Sequence, residues 1–385
     1  MKRVTLASAR PDGRSPVGQP RSHCSAPFDI MLQYLQDIGE QKCATEAVKW
    51  LCAFMQAAVP LTNAGNRANT TLILIEKGAV AAEYYSANAD AIDRSTVFAT
   101  ASLSKWIAAH AVMKLVEQGR LDLDRPVESY LTRWHLPAGA FSSREVTARR
   151  LQSHTAGLAD GLGFGDYRRD EALPSGEPFE TFVTREILQP RGMLRSGYAD
   201  LASTTNSAKS YDAAGRPNQV FLYASKAATG FTTSAGDMVR WVVAQLQPME
   251  GRPLARKTLD SMRTAQARSM GVDIWGLGTV LCAPTDQGGV VFDHDGVNDP
   301  AIDVTVRINP STGNAIIVLA TGSKPHASQL GAEWVFWQTG LPDVLTIPAE
   351  IRTVMPALIA GAGGIVFLAF VLVRRERRRN TQGSA

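Results

Sequence analysis

The apolar residues of the chain change period several times. Residues 1–30 mix Arg, Pro, Gly and Ser without an apolar period, which predicts an unstructured leader; no apolar run of the signal-peptide kind follows Lys2-Arg3. From Met31 to Val59, Leu32, Leu35, Ile38, Ala47, Leu51, Phe54 and Met55 fall near helical spacing and predict one or two helices. Residues 71–85 alternate β-branched and apolar positions about Glu76-Lys77-Gly78, the pattern of a hairpin. Trp106, Ile107, Ala109, Ala111, Val112, Leu115 and Val116 then predict a buried helix that begins near Ser102 and stops at Gly119. No internal repeat interrupts this succession, so one large unit over residues 31–345 is expected.

Near the other end, residues 353–373 (TVMPALIAGAGGIVFLAFVLV) carry no charge over about the length a bilayer requires, and RRERRR follows at 374–379. This pattern predicts a linker at 346–352, a transmembrane helix at 353–373 and a basic tail at 374–385. By the positive-inside rule the tail stays cytoplasmic. The expected localisation is therefore a single-pass anchor in the cell membrane with the large domain outside the cytoplasm, although the N-terminus carries no matching export signal.

Charge sharpens the picture. Across 385 residues, 40 Lys+Arg against 36 Asp+Glu give +4, but RRERRR alone contributes +4 and residues 1–22 another +4, which leaves residues 23–373 at −4. The basicity belongs to the two tails, and a nucleic-acid partner is not expected. Cys24, Cys43, Cys52 and Cys282 form no C-x-x-C pair and lack His at ligand spacing, so neither a disulfide framework nor a metal or other cofactor is predicted; Cys282 reads as a small core residue. Asn69-Thr70-Thr71 matches a glycosylation sequon, a pattern too common to weigh.

The chemistry lies in Ser102-Leu103-Ser104-Lys105. Three residues apart at a helix start, Ser102 and Lys105 share one face, so the amine can reach the hydroxyl and act as its base. The positive end of the helix and its unpaired N–H groups would favour charge developing on an attacked carbonyl oxygen. The tetrapeptide alone is weak evidence, because it occurs by chance in many chains of this length, where the Ser is merely a helix N-cap and the Lys a solvated side chain. Ser104 points away from the Lys105 face and reads as local packing.

The surroundings resolve this ambiguity. Phe98 leads to Ser102 and Lys105; Gly119-Arg120-Leu121-Asp122-Leu123-Asp124 follows; then come Thr147 through His154-Thr155-Ala156-Gly157-Leu158, Ile187-Leu188-Gln189-Pro190-Arg191-Gly192-Met193, Ala227 through Met238, and His294-Asp295-Gly296. In order and content these motifs resemble those of the β-lactamase-related serine hydrolases, the family of class C β-lactamases, D-alanyl-D-alanine carboxypeptidases and related esterases. The resemblance covers residues 70–340. It implies an α/β (α+β) fold, with a β-lactamase-like antiparallel sheet flanked by helices beside a helical subdomain. It implies Ser102 as the acylated nucleophile, Lys105 as its activator, and His294, Gly296 and Val297 on the substrate side, with oxyanion donors from the backbone N–H groups of Ser102 and Val297. His154 is expected to shape a helix-end turn with Thr155 and Gly157. The expected partner is a small-molecule or peptide substrate bearing an ester or amide.

One family element is missing. The Tyr-x-Asn or Tyr-Ser-Gly that shares the general-base work should lie between Leu158 and Gly176-Glu177-Pro178-Phe179, where only a short segment with Tyr167-Arg168-Arg169 stands. The helical subdomain is therefore expected to be shortened. A catalytically impaired relative that binds peptidoglycan-like or acyl-peptide ligands is the alternative reading.

Overall fold

A computed structural model describes residues 3–6, 54, 58, 68–87, 90–131, 142–158, 176–212, 214–218, 225–247, 253–269, 271–298, 302–322 and 326–382. The segment with Tyr167, most of the leader, Cys24, Cys43 and Cys52, and all but Phe54 and Ala58 of the stretch 31–59 lie outside the described residues; Phe54 and Ala58 themselves are buried.

The strands are β1 (Arg3–Leu6), β2 (Asn69–Glu76), β3 (Ala79–Ser86), β4 (Val97–Ala99), β5 (Ser210–Tyr211), β6 (Pro217–Asn218), β7 (Thr232–Ser234), β8 (Ala267–Ser269), β9 (Val272–Trp275), β10 (Val280–Pro284), β11 (Val290–Asn298), β12 (Ile302–Asn309) and β13 (Asn314–Thr321). The helices are α1 (Ser104–Glu117), α2 (Ala148–Gln152), α3 (Phe179–Val183), α4 (Lys226–Thr229), α5 (Ala235–Leu246), α6 (Arg256–Met262), α7 (His326–Thr339) and α8 (Ile347–Gln382). Nine strands form one antiparallel sheet in the order β1-β3-β2-β13-β12-β11-β10-β9-β8.

The predicted hairpin is β2–β3. Lys77 at φ 50° and Gly78 at φ 78° provide the two positive-φ residues of a tight turn whose twist matches the strands. The sheet is covered on both faces, so its central strands are buried throughout rather than on alternate residues. Ile73, Ile75, Ile317 and Leu319 pack into one cluster with Trp106, Ile107, Met238 and Trp241 of α1 and α5. Leu72, Leu74, Ile316 and Val318 pack into the other with Leu330, Trp334 and Val335 of α7. This accounts for the unbroken apolar runs of β2 and β13.

Two sequence expectations change. Arg3–Leu6, read as part of an unstructured leader, pairs with β3 as the edge strand β1, because β3 presents an otherwise open row of backbone donors and acceptors. The membrane-spanning helix is also overturned: among the described residues no helix is long and apolar enough to cross a membrane. Residues 353–373 are not a bounded apolar helix. They are part of the 36-residue α8, which takes in residues 347–352, read as a linker, and runs on into the arginine cluster. Pro356 and a run of Ala and Gly at 360–364 dilute its middle. The membrane partner and the single-pass localisation fall with that helix.

Candidate active site

The site is built where α1 meets the end of β11. Thr100 is pinned first: its backbone N–H and its Oγ1 both donate to the Phe231 carbonyl, at 3.2 and 2.8 Å. The chain then turns sharply through Ala101 at φ 44°, a left-handed conformation that a Cβ-bearing residue adopts only when its surroundings impose it. Residues Ala101–Leu103 form a 3-10 turn that runs into α1 at Ser104. Ser102 thus sits on the turn that opens the helix, and its one-turn spacing to Lys105 survives: Lys105 Nζ donates to Ser102 Oγ at 2.8 Å. A second bond from Nζ to the Ala228 carbonyl, at 3.3 Å, aims the amine from α4. At its far end α1 stops as expected, with Gly119 at φ 67° and Arg120 N–H donating to the Leu115 carbonyl at 2.9 Å.

Ser104 has a larger part than local packing suggests. It is fully buried, donates from Oγ to the Ala101 carbonyl at 2.6 Å, and accepts from the Phe231 N–H at 2.9 Å, so it ties the nucleophile turn to the chain that leads into β7. That chain is itself fixed by a cap. Ser234 accepts from the Asp237 N–H at 3.2 Å to start α5. The buried Asp237 carboxylate in turn accepts from Arg195 N–H, Ser196 Oγ and Arg240 Nη1, each at 2.8 Å.

β11 approaches from the sheet. Gly296 is required by contact: a Cβ there would lie 1.8 Å from the Thr100 carbonyl oxygen, so only glycine lets the strand meet the nucleophile turn. Val297, next along, is exposed. His294 is buried, and desolvation first, then the charges of Lys105 and His154, push its pKa down to about 4 against a backbone hydrogen bond that raises it. Its ring is therefore neutral at pH 7. Because Nδ1 lies 2.8 Å from the Asp295 carbonyl, which can only accept, the proton sits on Nδ1 and leaves Nε2 as an acceptor. Nε2 has no partner among the described residues.

Asp295 faces the opposite side of the sheet, beside Asp293, across from Arg307 on β12. Arg307, wholly buried, pairs with Asp293, with Asp295 at 2.6 Å and with Asp343 at 2.8 Å. Burial foremost, with the charges of Asp343 and Asp303, raises Asp295 to about 7 against hydrogen bonds from Thr305 and Ser328. This network braces the strand that carries His294 and Gly296 from behind.

Two groups escape a sequence reading. Trp275 on β9 stacks on His154 with ring centroids 4.2 Å apart and lies 6.0 Å from His294. His154 does close the turn after α2, at φ 56°, as its position in the motif suggests. Its exposed ring, however, also lies within the field of Lys105. Nothing in the sequence around Trp275 marks it as a neighbour of either histidine. Of the described tyrosines, Tyr85 donates to Glu83, Tyr130 accepts from the Asp122 N–H, and Tyr84, Tyr198 and Tyr211 are interior side chains; burial drives the phenol of Tyr198 far above its usual range. Among the described residues no cluster of His, Cys, Asp and Glu could hold a metal ion.

Known proteins bear on this arrangement. The chain is 37% identical over 83 residues to penicillin-binding protein 4 of Amycolatopsis lactamdurans, a match that covers 22% of each chain. It is 34% identical over 95 residues to esterase EstB of Burkholderia gladioli, covering 20% of this chain and 24% of the esterase. These matches span about a fifth to a quarter of those curated relatives' length. In fold it is similar to the D-alanine carboxypeptidase AmpC of Burkholderia cenocepacia, with a TM-score of 0.60 at 18% identity over 72% of this chain and 95% of that one. The Beta-lactamase family model matches residues 50–173 and 171–335, the same span that holds the Ser102–Lys105 turn and the β11 strand, and the chain belongs to the beta-lactamase family of serine hydrolases.

Proposed function

We propose that this chain acts on an ester or amide substrate, a β-lactam, a D-amino peptide or a carboxylic ester, through an acyl-enzyme on Ser102. The observation that carries the reading is the 2.8 Å hydrogen bond between Lys105 Nζ and Ser102 Oγ on a strained turn against which Gly296 packs. The Lys105 amine, in its neutral form, takes the Ser102 proton as Oγ bonds to the substrate carbonyl carbon. The resulting oxyanion faces the start of α1 and the end of β11, whose N–H groups at Ser102 and Val297 are the candidate donors. Collapse breaks the bond to the leaving alcohol or amine, which takes the proton from Lys105. Water then releases the acid and restores Ser102. His294, Gly296 and Val297 are the candidate substrate-side residues beside this path.

A fluorophosphonate or a fluorescent penicillin tests the reading. Labelling of the wild type that Ser102→Ala abolishes is expected; an unlabelled wild type, or equal labelling of the variant, sinks it. Lys105-dependent hydrolysis of a nitrophenyl ester separates an enzyme from a relative that only binds acyl-peptide ligands.

A further inference from the structure

We propose that the cleft between the β8–β9 hairpin and the edge of β10 is a second ligand site, which takes a small molecule built of a carboxylate and an apolar body, with the carboxylate on Arg263. The cleft is remote from Ser102: Val290, which lines it, opens β11, and Gly296 lies near the other end of that strand.

Strand pairing opens the cleft. β9 meets β10 only through Trp275 and Val280, while β8 and β9 pair with each other, so the hairpin splays away from the sheet. From Leu281 to Pro284 the outer edge of β10 then pairs with no strand among the described residues. The cavity left between them has a volume of about 950 Å³, room for a small organic ligand. Ala265, Leu281, Ala283 and Val290 give it apolar walls. Its charged lining is Arg256, Arg263 and Arg268 against Asp260 and Asp273, an excess of one positive charge. That excess matches a singly charged carboxylate, whereas a doubly charged phosphate would be repelled by the two aspartates.

Arg263 is the cation that the cleft leaves uncompensated. Its side chain is only 10% exposed, and its guanidinium is fixed over the Phe292 ring, 4.1 Å from the centroid. Nη2 donates to the Gln245 carbonyl at 2.9 Å and to Gln245 Oε1 at 3.3 Å. Gln245 is itself held, since its amide donates to His110 Nε2 at 3.0 Å and His110 Nδ1 lies 3.0 Å from the Trp106 carbonyl. Nη1, by contrast, makes no hydrogen bond among the described residues. Asp260 stands 4.0 Å from it and is engaged by Arg256, and at the rim Arg268 pairs with Asp273. Burial foremost lowers Arg263 to about 10, against the charge of Asp260, so it remains a cation at pH 7. A carboxylate would bring this half-used donor the acceptor it lacks, and the apolar walls would cover the rest of the molecule.

Isothermal titration of the full chain with octanoate, and with octanol as its uncharged counterpart, tests the site. Octanoate is expected to bind saturably with one molecule per chain, and octanol about 10-fold or more weakly. Arg263→Gln should weaken octanoate by a similar factor and leave octanol unchanged. Because Arg263 also braces Gln245, the melting temperature of the variant is measured alongside. Should it fail to fold, Arg268→Glu on the exposed rim replaces it, with octanoate expected to weaken about 3-fold or more and the loss to shrink in high salt. Absence of saturable octanoate binding overturns the inference, as does octanol binding equally well. Octanoate affinity unchanged in the folded variants also overturns it, since the molecule would then sit elsewhere, the Ser102 site included.

Discussion

Replacing Gly296 by alanine is the sharpest mechanical test of the site. The added Cβ would lie 1.8 Å from the Thr100 carbonyl oxygen, 2.9 Å from its carbon and 2.9 Å from Val304 Cγ2, where ordinary contact begins near 3.4 Å. About 1.6 Å must therefore be found, and neither partner gives easily. Thr100 is held to Phe231 through both its N–H and its hydroxyl, and Gly296 is in register with Val304 on the neighbouring strand β12. A displacement of this size between nucleophile and oxyanion donors costs about 10²-fold or more in kcat/KM. The accompanying overpacking costs about 1–3 kcal/mol of stability. The assay is nitrophenyl-ester kinetics with urea denaturation monitored in parallel. Gly197→Ala serves as the control, since nothing lies within 4 Å of its added Cβ and its backbone is not left-handed. If G296A keeps wild-type kcat/KM, the strand does not press on the nucleophile turn and the account of this glycine is wrong.

Other consequences are as concrete. Lys105→Met should lower acylation by about 10²–10⁴-fold while leaving the melting temperature nearly unchanged, and nitrophenyl-ester burst kinetics at wild-type speed would exclude the amine as base. Acid should destabilise the fold well above the carboxylate range. His110 and His294 are held at about 3 and about 4 by burial, so the unfolded chain takes up two protons below pH 6.5 that the folded chain refuses. Asp295, raised to about 7, works the other way by staying protonated when folded. The net difference of one proton lowers stability by about 1.4 kcal/mol per pH unit between pH 6.5 and 4, with His154 and His326 adding to it. Urea midpoints that are flat between pH 7 and 5 would contradict this. Arg307→Leu should cost about 3–5 kcal/mol, because Asp293 and Asp343 remain buried without their cation. A midpoint shift under 1 kcal/mol would show that those carboxylates simply take up protons instead.

The sequence by itself determined what lies within one turn or one hairpin. The Ser102–Lys105 reach follows from helical spacing, the β2–β3 hairpin from alternation about Lys77-Gly78, and the end of α1 from Gly119; each rests on backbone geometry between near neighbours. Motif order carried the family, because several short segments had to agree at once. Tertiary packing decided everything that spans long separations. Gly296 is fixed by a carbonyl nearly two hundred residues earlier in the chain, the His154 ring is held only when β9 brings Trp275 onto it, and Ser104 becomes a tie between α1 and Phe231. Apolar character alone misled at residues 353–373, since hydropathy records the side chains of a segment but not the helix that takes it in. Local dihedral preferences are written residue by residue. Close contacts are differences between many competing packings, and only the folded chain selects among them.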